Sequence, residues 1–327
     1  MPETMSAWTQ NAYGPASAVR RAEQPTPVPG RGEVLLKVRA TALNAGDVRI
    51  MQGDPLLVRP VFGFGRPRQP VRGMDVAGVV VALGPGAGGV QLGDEVVVEL
   101  PGGGGLAEYA VAPVARVVPR PAAVSPRDAA CLPIAAGTAH QALDAAGVAG
   151  GDRVLVIAAS GGVGTFTVQL AAAAGAEVHA TCSARSAATI GRLGATTVLD
   201  RDQPLRELSA GGYDAVIDIA GTSPLRDLQR LSADGGRIVL VSGHGGRVLG
   251  PVVRMLGAAV LSIGSRRRIR PLAAAAKPEV LHALLALVEE GTISPLIEAE
   301  YRFDEAGEAL VRVEAGHVVG KVVVHGR

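Results

Sequence analysis

Residues 154–164 read Val-Leu-Val-Ile-Ala-Ala-Ser-Gly-Gly-Val-Gly, followed by Val168-Gln-Leu-Ala and then by Glu177-Val-His-Ala-Thr-Cys182. An apolar run rich in β-branched residues enters a glycine turn, then a helical pattern, then a second apolar run. That order is the strand-turn-helix-strand unit that seats a dinucleotide. Gly161 lets the backbone approach a pyrophosphate, and Gly164 lets the helix pack close to the strand. The amides at the helix start, in the segment Ser160, Gly161, Gly162, Val163, Gly164, then face the phosphates. Ala159 stands where the first glycine of G-x-G-x-x-G is usual, so the pattern is A-x-G-x-x-G. Helix caps and tight turns also use glycine. The matching pattern on both sides is what marks this turn as a nucleotide site.

A chain of 327 residues exceeds one ordinary core, so two domains are expected. Hydrophobic residues make up 48%, which suits a well-buried globular protein, yet no apolar run is long enough for a membrane helix. A net charge of +2 gives no reason to expect a nucleic acid or an anionic membrane as partner. Cys131 and Cys182 are the only cysteines, too few for a disulfide framework or a four-cysteine zinc site. No charged-then-apolar signal segment is visible near Met1, and a cytoplasmic location is expected.

Residues 33–42, 74–83 and 94–100 read as strands separated by Gly-Asp and Pro-Gly turns, a β-rich unit up to about 125. Pro119, Pro121 and Pro126 punctuate its end. Thereafter strands (153–158, 177–182, 196–199, 214–219, 237–241, 259–263) alternate with helices (163–174, 185–193, 224–232), the signature of a parallel sheet with crossovers. Residues 278–290 read as an amphipathic helix and 320–325 as a closing strand.

In sequence order these pieces resemble the medium-chain dehydrogenase/reductase superfamily, and within it the zinc-free quinone oxidoreductase branch. The resemblance runs through Gly32-Glu-Val-Leu-Leu-Lys-Val, Asn44-Ala-Gly-Asp47, Gly73-Met-Asp-Val-Ala-Gly, Leu132-Pro-Ile-Ala-Ala-Gly-Thr-Ala139, the 158–164 turn and Gly316-His-Val-Val-Gly-Lys321. It implies an α/β protein: a GroES-like β-rich domain over 1–125, completed by a C-terminal return over 266–327, and a Rossmann domain over 126–265. It also implies an active site in the cleft between them. Zinc-dependent relatives place a cysteine and a His-Glu pair where this chain has Gly46, Met74 and Asp75, so no metal is expected. The chemistry then falls to a nicotinamide.

An NAD site usually places an acid at the end of the second strand. Here that strand ends Ala180-Thr-Cys-Ser-Ala-Arg185. Ser183 and Arg185 suit a 2′-phosphate, and Arg201 resembles the position of a further contact, so NADPH is the expected cofactor. The resemblance places Asn44 near the nicotinamide ribose, with Asp47 organising the cleft, and Thr138 facing the cofactor unless it is a helix N-cap. Ser242 and Gly243 follow the strand whose carboxyl end should face the nicotinamide. His140 and His244 read better as structural residues than as acids or bases.

With one Trp, four Tyr and four Phe in the chain, Phe62 and Phe64 stand out in the long Pro/Gly-broken segment 54–72. They are substrate-stacking candidates, with Arg49, unless the segment is a solvated loop. Tyrosines common in relatives after Asn-x-x-Asp are replaced by Val48, Arg49, Ile50 and Met51. No residue declares itself catalytic. The expected activity is NADPH-dependent hydride transfer to a quinone or an α,β-unsaturated carbonyl, a small-molecule substrate. Alternatives are a zinc-free alcohol or ketone oxidoreductase, and a non-redox cyclase-like or cofactor-sensing protein. The resemblance also implies a homodimer, since relatives commonly join the edges of their nucleotide-domain sheets, and here that edge would be the apolar run Ala258-Ala-Val-Leu-Ser-Ile263.

Overall fold

The computed structural model describes residues 2–242 and 247–327. It divides into two compact units, one formed by 1–137 with 276–327 and the other by 138–275. The expected joins at 125/126 and 265/266 lie N-terminal to these. The helical stretch Pro126–Ala136 stays with the first unit because it packs on the strands Glu33–Leu43 and Asp75–Leu83.

In the first unit the alternating residues of Glu33–Leu43 build a long strand at the centre of a seven-stranded sheet. Asp75–Leu83 and Lys321–His325 pair antiparallel on its two sides, with Ala42 opposite Asp75 on one edge and Val323 on the other. The C-terminal strand is thereby built into the sheet that the first hundred residues begin. Val34, Leu36, Val38, Val76, Val80, Val96 and Val98 fill one core of this unit, and the β-branched alternation places them on one face.

The glycine-rich crossing after Glu99 has a steric cause. A Cβ on Gly103 would lie 2.3 Å from the Val71 carbonyl oxygen, and one on Gly105 would lie 2.8 Å from that of Gly73. Two backbones touch there, and only glycine permits it.

The second unit is a six-stranded parallel sheet in the order Thr197–Asp200, Glu177–Cys182, Arg153–Ile157, Tyr213–Asp218, Ser232–Leu240, Arg268–Pro271. Helices Gly162–Ala173, Ala184–Arg192 and Leu225–Leu231 are the expected crossovers. The fold is α/β: a GroES-like sheet unit and a Rossmann-like parallel-sheet unit.

The expected strand 259–263 is corrected. Residues 259–262 belong to the helix Val252–Ser262, Ile263 is its C-cap, and the sixth strand is Arg268–Pro271. So short a run has no intrinsic period, and the helix frame begun after Pro251 absorbs it. Among the described residues no helix is long and apolar enough to cross a membrane.

Candidate functional site

The first strand of the parallel sheet ends at Ile157, and the chain turns through Ala158 at φ 64°, a left-handed conformation rare for a residue with a Cβ. Thr181, on the neighbouring strand, holds that turn. Its hydroxyl accepts the Ala158 N–H at 3.1 Å and its carbonyl accepts the Ala159 N–H at 2.9 Å.

The two glycines of the motif then do different work. A Cβ on Gly164 would sit 2.6 Å from Ala158 and Ala159 backbone atoms, so this glycine sets the approach of helix to strand. A Cβ on Gly161, the N-cap at φ −77°, would meet nothing within 4 Å. Ser160, Gly161, Gly162 and Val163 are half-buried along this open turn, where helix amides without intrahelical partners face outward. The cradle fits a dinucleotide pyrophosphate.

Ser183 follows Cys182 and is the N-cap of the next helix, its hydroxyl 3.4 Å from that of Ser186. Arg201 is brought beside it, because its N–H donates to the Cys182 carbonyl at 2.9 Å; its guanidinium lies 3.6 Å from Asp202. Arg185 is exposed on the first turn of that helix. The structure thus gathers Ser183, Arg185 and Arg201 at one corner of the unit.

Ser242 lies half-buried at the end of the fifth strand, 3.5 Å from the Ala220 carbonyl. The expectations for Gly243 and His244 fall outside the described residues. Thr138 is not an N-cap: it lies inside Gly137–Ala146, and Ser125 caps the helical stretch far upstream. His140 Nδ1 is buried without a hydrogen-bond partner among the described residues.

In the first unit Asn44 is the hub of a buried polar cluster. Its amide donates to Asp75 Oδ2 at 2.9 Å and accepts from Lys321 Nζ at 2.5 Å, while Lys321 and Asp75 stand 3.6 Å apart. Asp47 orders the backbone beneath, accepting the N–H of Asn44 and that of Gly73, both at 2.9 Å. Burial is the largest influence on Asp75 and pushes it up to about 7, with Lys321 and the Asn44 hydrogen bond pulling it down. Burial likewise raises Asp47, against the two N–H bonds and Arg72.

Sequence reasoning quoted Lys321 only inside a motif and passed over its role. The available signal was a lysine opening the run Val322-Val-Val324, in a chain with three lysines among 32 basic residues.

Segment 54–72 leans on the N-terminal arm, while about half of its residues stay exposed. Tyr13 donates to the Gly63 carbonyl, and the Arg59 guanidinium lies 4.6 Å over the Tyr13 ring. Phe62 and Phe64 part company: Phe62 lines a cavity of about 410 Å³, whereas Phe64 is 72% exposed. Arg49 is half-buried on the helix Ala45–Gln52 and is not among that cavity's walls.

The positions that carry zinc in dependent relatives do not fit the metal. Gly46 offers no side chain, the Met74 thioether packs against it, and Asp75 is engaged by Asn44, Lys321 and the Ile134 N–H.

The alcohol dehydrogenase GroES-like domain family matches residues 30–122, and the zinc-binding dehydrogenase family matches residues 193–324. The chain is 36% identical to a chloroplast envelope quinone oxidoreductase homolog of Arabidopsis thaliana over 98% of both chains. The chain belongs to the medium-chain dehydrogenase/reductase superfamily, in its quinone oxidoreductase-like branch. A second relative, the 2-methylene-furan-3-one reductase of Solanum lycopersicum, is 31% identical over 99% of this chain and 80% of its own. The solved quinone oxidoreductase of Coxiella burnetii superposes with a TM-score of 0.87 at 30% identity, covering 99% of this chain and all of the other.

Membership of this superfamily makes the chain an oxidoreductase, with a nicotinamide cofactor and a small-molecule substrate. The expected cytoplasmic location is corrected. The Arabidopsis relative is named for the chloroplast envelope and two further plant relatives are named chloroplastic. A missing signal pattern never specified a compartment.

Proposed function

We propose that this protein is an NADPH-dependent reductase that delivers hydride to a quinone or an α,β-unsaturated carbonyl compound without a metal. The observation that carries the reading is the turn Ala158–Gly164, closed to a side chain at Gly164 and open above Gly161. Ser183, Arg185 and Arg201 support NADPH over NADH, because a serine and two cations favour a 2′-phosphate where an acid would repel it. The names of the Arabidopsis and Solanum relatives support a quinone or an enone as acceptor. The donor set Gly46, Met74 and Asp75 supports metal independence.

When bound, the reduced nicotinamide supplies a hydride, which for an enone ends on the β-carbon while a proton from water ends on the α-carbon. Helix amides from Gly162 onward hold the pyrophosphate. Lys321 and Asp75 fix the rotamer of Asn44, our candidate for the nicotinamide end, so that its amide is oriented before any ligand arrives.

The protein is proposed to be a homodimer. Val253, Leu256 and Val260 are 65%, 62% and 66% exposed on the helix Val252–Ser262, and its C-cap Ile263 is 80% exposed. The helix packs beside Arg268–Pro271, the edge strand of the parallel sheet, and a second copy would cover the exposed apolar side chains.

Product analysis tests the activity. With NADPH and an enone the saturated ketone is expected, and with a quinone the hydroquinone. Formation of the allylic alcohol, or no consumption of NADPH with either class, would overturn the reading.

A further inference from the structure

The cavity that Phe62 lines lies wholly within the first unit. Ile50, Phe62 and Met74 supply apolar walls, and Glu99 is the one carboxylate among the lining residues. A cavity of about 410 Å³ is of the size that holds a small organic ligand.

Sheet pairing brings Glu99 beside the polar cluster around Asn44. On the antiparallel strands Asp75–Leu83 and Glu95–Glu99, Asp75 stands directly opposite Glu99. Side chains of such a pair share one face of the sheet. Asp75 in turn accepts from the Asn44 amide at 2.9 Å. The Met74 methyl, in the same cavity wall, would lie 3.1 Å from a Cβ on Gly46, two residues from Asn44.

Asp47 and Asp75 spend their oxygens on hydrogen bonds, but Glu99 does not. It is half-buried, and its carboxyl takes part in no hydrogen bond or ion pair among the described residues. Neither carboxyl oxygen is sealed off, so both remain open to a ligand in the cavity. Burial is the largest influence on this carboxyl and holds it above the ordinary 4.5; Asp47 acts in the same direction and Arg116 opposes it. Arg68 and Arg72 are the other charged groups in the cavity wall. A carboxylic acid that keeps its proton beside an apolar ligand is suited to giving that proton up during reaction.

We propose that Glu99 is the proton donor of enone reduction, a catalytic residue that meets the α-carbon of an acceptor bound against Phe62, Met74 and Ile50. Hydride forms the new bond at the β-carbon, and the C=C electron pair moves toward the carbonyl oxygen as an enolate. That pair then forms the α-carbon–hydrogen bond with the Glu99 proton. The O–H pair stays on the carboxylate, and water returns the proton to it. The inference rests on the reductase reading. A quinone needs no such donor, because its reduced oxygens exchange protons with water directly.

That difference supplies the test, with cyclohexenone and duroquinone as acceptors and NADPH as donor. Glu99→Gln should lower kcat for cyclohexenone at least about 100-fold, while KM and the kcat for duroquinone change by less than about 3-fold. Glu99→Asp should recover part of the loss. In the wild type the ratio of kcat for cyclohexenone over duroquinone should fall as pH rises from about 5 to about 9, and in Glu99→Gln it should stay flat. A second arm uses the protein without ligands. The infrared spectrum of the wild type minus that of Glu99→Gln should show a protonated-carboxyl band at about pH 6, where an ordinary glutamate is ionised.

Unchanged cyclohexenone turnover in Glu99→Gln, equal losses with both acceptors, turnover of duroquinone alone by the wild type, or no such band overturns the assignment and leaves the reductase intact. NADPH oxidation with neither class of acceptor overturns the reductase reading, and the assignment with it. Should Glu99→Gln fail to fold, the wild-type ratio decides, and a flat ratio overturns the assignment.

Discussion

Two glycines three residues apart should respond to the same substitution in opposite ways. In Gly164→Ala the new methyl falls 2.6 Å from the Ala158 carbonyl oxygen and from the carbonyl carbon and oxygen of Ala159, where ordinary contact begins at 3.4 Å. These are backbone atoms pinned by Thr181, so no side chain can rotate away. Helix and strand must separate by most of the difference. Overpacking of this kind costs about 1–3 kcal/mol. At about 2–4 °C per kcal/mol, Tm should fall by about 2–12 °C.

Gly161→Ala meets no atom within 4 Å and sits at φ −77°, a conformation alanine adopts freely. Its Tm should stay level or rise, by the equivalent of about 0.4–1 kcal/mol. Its methyl, however, occupies the space proposed for the pyrophosphate, so the Kd for NADPH should rise at least about 10-fold. Thermal unfolding and NADPH fluorescence titration on both variants give the four numbers. Wild-type NADPH affinity in Gly161→Ala would refute the placement of the pyrophosphate, and a wild-type Tm in Gly164→Ala would refute the packing argument.

Three further outcomes are expected. Asp75 holds its proton up to about 7 in the folded chain against an ordinary 3.8, so the folded state binds the extra proton and this group's contribution to stability falls as pH rises through that window. The Tm of the wild type relative to Asp75→Asn should therefore fall by more than about 2 °C between about pH 5 and about pH 8, and a flat or rising difference would contradict it. Arg201→Gln and Arg185→Gln should each weaken NADPH binding at least about 10-fold while changing NADH by less than about 2-fold. Equal losses for both cofactors would show that neither reads the 2′-phosphate. Light scattering at micromolar concentration should give twice the 33.1 kDa chain mass, and Leu256→Glu should return it to one chain. A wild type already at 33.1 kDa would contradict the dimer.

Most of the fold was legible because it is written in local periods. The alternation of Glu33–Leu43 and the strand-turn-helix run from Arg153 onward each fix their element within about ten residues of sequence. The strand expected over 259–263 failed where that logic runs out. So short a run fits either a strand or one face of a helix, and Pro251, several residues upstream, set the helix frame.

The shape of the turn Ala158–Gly164 was equally readable, since its glycines answer to neighbours a few residues away. The polar cluster was not. Asn44 meets Asp75 across 31 residues and Lys321 across 277, and no local pattern joins partners brought together by sheet pairing.

The most direct test of the central claim is steady-state oxidation of NADPH by the purified, metal-free protein with a panel of quinones and enones, with NADH in parallel. The account predicts turnover with at least one acceptor and a kcat/KM for NADPH at least about 10-fold above that for NADH, the discrimination expected of charge-assisted contacts to a 2′-phosphate. Failure of NADPH to bind, or equal kcat/KM for the two cofactors, would contradict it.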